Sequence, residues 1–257
     1  MKKIMNKLFV CLTIMALTVL TGCTDTGFFS KSDEKVEVVD SAFLVDRESG
    51  EYSIVVIVEN KTGNPIKEGF CSETAFDKDG KQMPGQAMHV AAPFAWLCEG
   101  ERQAYMYTTA DVPGESILDH YETLPDTLEW EVVQATENQE LTPLGISVAE
   151  CIISDDYGDW AEYEITLKNE SDTDYGYDME SMYYQSEVAD FDLRVVAVFR
   201  DDEGTIKDAV LMTPRPVSQK ALPANSEESM VFYSNHVCTD ETLTPEYYLS
   251  IERYEFH

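Results

Sequence analysis

Apolar residues in this chain recur at every second position. Tyr52, Ile54, Val56 and Val58 share one side of an extended segment, and Tyr163, Ile165 and Leu167 share one side of another. Side chains of a strand point alternately to its two faces, so this period fits half-buried strands rather than helices. Beyond the first 22 residues no long 3.6-residue period competes with it. The runs stop at turn formers such as Asn60-Lys-Thr-Gly-Asn-Pro65 and Asn169-Glu-Ser-Asp-Thr. The pattern predicts an all-β chain, with strands near 36–44, 52–58, 66–76, 81–90, 101–109, 127–134, 146–154 and 160–168.

The strand order then recurs, and four pairs of segments carry the repeat. Val58-Glu-Asn-Lys-Thr matches Leu167-Lys-Asn-Glu-Ser, and Ala75-Phe-Asp-Lys-Asp-Gly80 matches Val198-Phe-Arg-Asp-Asp-Glu-Gly204. Glu101-Arg-Gln-Ala-Tyr-Met-Tyr aligns with Glu227-Glu-Ser-Met-Val-Phe-Tyr, and Leu128-Glu-Trp-Glu-Val with Leu249-Ser-Ile-Glu-Arg. Asn169 and Gly204 lie about 15 positions further apart than Asn60 and Gly80, and the surplus falls within 172–190. Two copies of about 100 residues, each with some seven short strands, suit two tandem β-sandwich domains at 35–138 and 139–257. A linker is expected over Gln134–Pro143, which lacks alternation.

The amino terminus reads as an export signal. Lys2, Lys3 and Lys7 precede an apolar run from Leu8 to Leu20, too short for the ~20 residues that a membrane-crossing helix needs. The run ends in Leu20-Thr21-Gly22-Cys23, which resembles the bacterial lipobox. That resemblance implies a signal peptide at 1–22, a thiol of Cys23 that carries diacylglycerol, and a membrane-anchored mature protein outside the cytoplasm. Residues 23–34 would then be a short flexible tether. An ordinary signal peptide with a coincidental cysteine is the alternative.

The apolar strand with a turn after Val-x-Asn, the second strand ending in Phe-x-Asp-x-Gly, and a later strand led by Pro, Ser or Glu together resemble the FxLYD-type and related immunoglobulin-like domains of bacterial surface lipoproteins. The namesake core is best matched by Val196-Ala-Val-Phe-Arg-Asp-Asp-Glu-Gly, with Arg200 at a position where the family carries an aromatic or aliphatic residue. The resemblance spans roughly 35–135 and 144–257. It implies immunoglobulin-like sandwiches and says little of any activity.

Charge and cysteine content narrow the function. The 257 residues hold 18 Lys and Arg against 49 Asp and Glu, a formal charge of −31, which excludes a nucleic-acid binder because phosphates need basic partners. Cys11 leaves with the signal and Cys23 is the lipidation site, so Cys71, Cys98, Cys151 and Cys238 remain. Export makes oxidation plausible, and separately folding copies would pair Cys71 with Cys98 and Cys151 with Cys238; buried free thiols are the alternative. A zinc site is not expected, for want of C-x-x-C or clustered His.

No G-x-S-x-G, H-E-x-x-H or phosphate loop is present, and no catalytic residues are assigned. His236 beside Cys238 could suggest a thiol nucleophile, but reads better as a strand end. Acidic Gly loops at 77–80, 155–159, 172–178 and 201–204 offer calcium a weak possibility, against the simpler reading of Asp and Gly as turn formers; otherwise no cofactor is expected.

The surplus segment holds Tyr175, Tyr177, Met179, Met182, Tyr183 and Tyr184. Tyr gives rigid contact area and Met adapts to irregular shapes, so these six are the candidate partner-binding residues. The alternative is that they fold back over the sheet or fill the domain junction. The sequence therefore points to a non-enzymatic binding module for a protein, peptide or glycan. A structural spacer of an envelope assembly and a hydrolase are the alternatives.

Overall fold

Ile54-Val-Val-Ile-Val58 is apolar at every position, not at every second one, and this run explains the architecture. A computed structural model describes residues 35–45, 51–83, 92–108, 125–156, 160–175, 190–214 and 222–255. Twelve strands are formed among them: β1 (Val36–Val45), β2 (Tyr52–Asn60), β3 (Ile66–Phe76), β4 (Ala92–Leu97), β5 (Arg102–Thr108), β6 (Thr127–Glu137), β7 (Ile146–Asp156), β8 (Ala161–Asn169), β9 (Asp190–Arg200), β10 (Ile206–Pro214), β11 (Ser226–Ser234) and β12 (Thr244–Glu255). The described residues are all-β, and every strand pairing among them is antiparallel.

The first six strands make two three-stranded sheets, ordered β1-β2-β5 and β4-β3-β6. The last six repeat that topology as β7-β8-β11 and β10-β9-β12, joined where Thr213 and Pro214 at the end of β10 pair with Tyr233 and Phe232 of β11. Each half has its own apolar cluster drawn from both of its sheets. In the first, Ile54, Val56 and Val58 meet Ile66, Phe94 and Leu97. In the second, Ile165 and Leu167 meet Val195, Val210, Met212 and Phe232.

A third cluster joins the halves. Val55, Ile57, Ala104 and Met106, on the outer face of β1-β2-β5, pack against Val196, Val198, Ile206, Ala209 and Tyr248 on the outer face of β10-β9-β12. The β2 strand is therefore buried on both faces, as its unbroken apolar run requires. By contrast, the Glu, Thr and Lys residues of Ala161-Glu-Tyr-Glu-Ile-Thr-Leu-Lys168 keep one face of β8 in water. Ion pairs border the contact between the halves. Arg200 Nη1 donates to Asp40 Oδ2 at 2.6 Å across the halves, and its Nε donates to Glu246 Oε2 at 3.2 Å. Burial opposes the charge of Arg200, yet its bonds to Asp40 and Tyr248 hold its pKa above that of ordinary arginine.

The anchor of the repeat is confirmed atom by atom. Asn60 is fully buried; its Nδ2 donates to Leu97 O at 2.8 Å and Asn64 O at 2.9 Å, and its Oδ1 accepts from Thr62 N and Oγ1. Asn169 does the same with Leu222 O, Pro223 O and Thr173 O, and accepts from Ser171 N and Oγ. The other three alignments shift. Asp77 Oδ1 accepts from the amides of Asp79 and Lys81, and Asp201 Oδ1 from those of Glu203 and Thr205, each with a positive-φ glycine at Gly80 or Gly204. Asp77 therefore corresponds to Asp201, and Phe76 to Arg200, not to Phe199. A one-residue slip exchanges the faces of a strand, so Phe199 packs into its core while Phe76 alternates with buried Ala75. Strand registers likewise set Arg102 against Glu227, and Leu128-Glu-Trp-Glu-Val against Pro245-Glu-Tyr-Tyr-Leu.

Six strands are described in each half where some seven were expected. Residues 84–90 of the expected 81–90 strand lie outside the described residues, and Ala92–Leu97 forms β4. The connection between the halves starts later than expected, because β6 runs on to Glu137. It buries Leu141 and Leu144.

The expected disulfides are not formed: Cys71, Cys98, Cys151 and Cys238 are free thiols. Cys71 sits opposite Ala92 in the β3–β4 ladder, while Cys98 follows Leu97, which neighbours Ile66. At ~3.3 Å per residue that places them roughly 15–20 Å apart, far beyond the ~7 Å that a disulfide tolerates. Cys151 Sγ lies 3.9 Å from Met212 Sδ, whereas Cys238 neighbours Asp208 and Asp240. Burial pushes the Cys71 thiol up to about 12.

Candidate functional site

Strand β4 ends in an unusual backbone. Trp96 has φ of +51°, a region that bulky side chains occupy only where their surroundings compel it. Three hydrogen bonds hold the strand end in this shape. Gln103, itself buried, donates from Nε2 to Ala95 O at 2.5 Å and accepts from Ala95 N at 3.2 Å, so its amide serves as a ladder partner for the strand end. The indole Nε1 of Trp96 donates to Thr142 O at 2.7 Å in the connection between the halves.

Trp96 forms part of a cavity of about 270 Å³ where the halves meet. The β4–β5 hairpin contributes Trp96, Glu101, Arg102 and Gln103. Leu144, Ile146, Ser147 and Val148 supply a largely apolar wall, and Tyr247, Tyr248 and Leu249 of β12 supply the rest. Glu101 Oε2 accepts from Cys98 N at 2.8 Å; burial raises its pKa, partly offset by that bond. Arg102 is committed elsewhere, with Nε and Nη2 both 2.8 Å from Glu59 Oε2. Tyr247 and Tyr248 are raised to about 12, chiefly by burial.

Of the six residues singled out as partner-binding, Tyr175 alone is among the described residues. Tyr175 is 3% exposed, pairs through its backbone with Leu222, and clusters with Trp96, Leu141 and Leu144. It fills the junction beside the cleft. Tyr177, Met179, Met182, Tyr183 and Tyr184 lie outside the described residues, as does Cys23. Sequence reading missed Trp96, Glu101 and Gln103 as a group, although the apolar run Ala92–Cys98 directly before Glu-Gly-Glu was a usable signal.

His236 and Cys238 do not form an activated thiol pair. His236 Nε2 lies 2.8 Å and 3.0 Å from the two oxygens of Asp208, which raises its pKa. The Cys238 thiol is pushed up to about 11, mainly by burial and against the bond from Asp240, so it stays protonated at neutral pH. In the loops at 77–80 and 201–204, Asp77 Oδ1 and Asp201 Oδ1 each accept from two of the turn's own amides, and Asp201 Oδ2 lies 3.1 Å from Lys207 Nζ. Parts of the other two acidic loops lie outside the described residues. Among the described residues no three His, Cys, Asp or Glu side chains converge to hold a metal.

Glu73 is the odd residue of the first core. It is 6% exposed, its Oε1 has no hydrogen-bond partner among the described residues, and it stands where the second copy has Ala197. No protein-family profile matches this chain, and no curated protein is significantly similar to it in sequence.

Proposed function

We propose that this chain is an exported lipoprotein: a signal peptide at 1–22, a lipid-bearing Cys23, a tether at 23–34, and two immunoglobulin-like sandwiches of the FxLYD type that bind a protein, peptide or glycan without catalysis. Leu20-Thr-Gly-Cys23, directly after a basic and then apolar leader, is the observation that carries this reading. Supporting it, the two halves repeat one strand topology and bury a common apolar face, which suits a rigid display scaffold. The preorganised Trp96 cleft adds a place where a ligand can seat. The strongly acidic exterior favours basic or neutral partners over anionic ones.

Two measurements on the native host test this. Cells fed an alkyne analogue of palmitate should label the protein, and Cys23→Ala should abolish the label. Crosslinking on intact cells should then recover a partner in complex with the anchored protein. An unlabelled protein refutes the anchor. A single stoichiometric membrane neighbour, with no ligand exchanged, would favour the spacer reading instead.

A further inference from the structure

The cleft between the halves combines features that select a particular chemistry. Its walls are aliphatic at Leu144 and Ile146 and aromatic at Trp96 and Tyr247, and Glu101 brings a carboxylate to the same space. One oxygen of that carboxylate is held by Cys98 N, and Oε1 has no partner among the described residues. Among the described residues the one cation lining the cleft, Arg102, is neutralised by Glu59, so the local field is acidic, as is the whole chain at −31. An anion would meet no available positive group there. A cation would meet a carboxylate and aromatic side chains, the two kinds of group that attract ammonium in a partly dry site. The volume of 270 Å³ lies below the ~300–1,000 Å³ of drug-sized pockets, which suits one side chain or a small linear molecule.

We infer that the cleft takes an aminoalkyl group, an ammonium at the end of a short methylene stem, with Glu101 receiving the ammonium and the Trp96 and Leu144 walls receiving the stem. A lysine side chain of a partner and a free alkyl diamine share this chemistry. The inference rests on the binding-module reading and names the ligand class of its site.

Nitrogen-15 NMR of the mature domain tests it through the indole signals of the three tryptophans. Trp96 is assigned with Trp96→Phe, or by paramagnetic broadening from a label at the exposed Glu99 position should that variant fail to fold. The probes are N-acetyl-lysine methylamide, 1,5-diaminopentane, and N-acetyl-norleucine methylamide, which keeps the stem without the ammonium. The two amines should shift the Trp96 signal saturably, on the order of millimolar for such small ligands. Norleucine should not, and Glu101→Gln should weaken the amine response at least tenfold with its melting curve unchanged. Saturation by the lysine probe alone assigns the cleft to a protein partner; saturation by the diamine alone assigns it to a free amine. An equal response to norleucine, no response to either amine, or an unchanged response in Glu101→Gln overturns the inference. The titration uses purified protein and needs no anchor or captured partner. Its failure would therefore leave the lipoprotein reading standing, and an unlabelled Cys23 would leave the cleft standing.

Discussion

Exchanging the outer face of β2 for that of its repeat should uncouple the two halves. With Asn60 matched to Asn169, Val55 and Ile57 correspond to Glu164 and Thr166. Both pairs belong to central strands of the same topology, so Val55→Glu with Ile57→Thr keeps local strand chemistry and changes only what the outer face offers. Val55 is 0% and Ile57 1% exposed, and both lie in the cluster that joins the halves. Losing two fully buried aliphatic side chains removes about 3–6 kcal/mol of transfer free energy at about 1.5–3 kcal/mol each, before the cost of confronting Val198 with a carboxylate. That exceeds what surface ion pairs such as Arg200–Asp40 return, typically about 0–1 kcal/mol each. The clusters inside each half contain neither residue and should persist. Calorimetry should therefore resolve two transitions, and limited proteolysis should cut the connection after Glu137 under native conditions. A single transition within about 2 °C of the parent, with the connection still protected, would refute a stacking role for these residues.

Four further outcomes follow from named contacts. Asn60→Ala and Asn169→Ala should each cost about 3 kcal/mol in chemical denaturation, since each removes several hydrogen bonds at about 1 kcal/mol apiece and orphans buried carbonyls. Gly69→Ala should lower stability by about 1–3 kcal/mol, because its Cβ would stand 2.3 Å from the Phe94 ring and 2.5 Å from Gln134 O. Glu73→Met should raise the melting temperature by removing an unpartnered buried carboxyl at similar volume, worth about 1–3 kcal/mol; a lowered value would refute the view that this group is uncompensated.

The Asp208–His236 pair gives a pH signature. The His236 pKa is raised by Asp208, so its contribution is full below the ordinary value of 6.5 and is lost as pH climbs through the folded value. Against burial, His236 lowers Asp208, whose contribution is present above 3.8 and is lost as pH falls through the lower folded value. The pair should stabilise most in mildly acidic solution, by about 0.5 kcal/mol given its exposure. His236→Ala should flatten the alkaline side of the stability–pH curve, and an unchanged curve would dismiss the pair.

Strand content, the Asn60 and Asn169 anchors and the paired acidic turns were legible in the sequence, because alternation and turn chemistry are local. Even the double burial of β2 was written in Ile54–Val58, where the alternation disappears, and equally in Val195-Val-Ala-Val198 of β9. Register was not legible: the shared Phe of Ala75-Phe76 and Val198-Phe199 suggested an alignment one residue out, and only the hydrogen bonds of the two turns reveal the true match. The thiols illustrate the same divide. Membership of one copy made Cys71 and Cys98 look like partners, whereas the β3–β4 ladder holds them at opposite ends. Local sequence thus set which segments become strands and where they turn. The meeting of outer faces, the strained Trp96 and the cleft it lines depend on residues far apart in the chain, and those distances exist only once the sheets have packed.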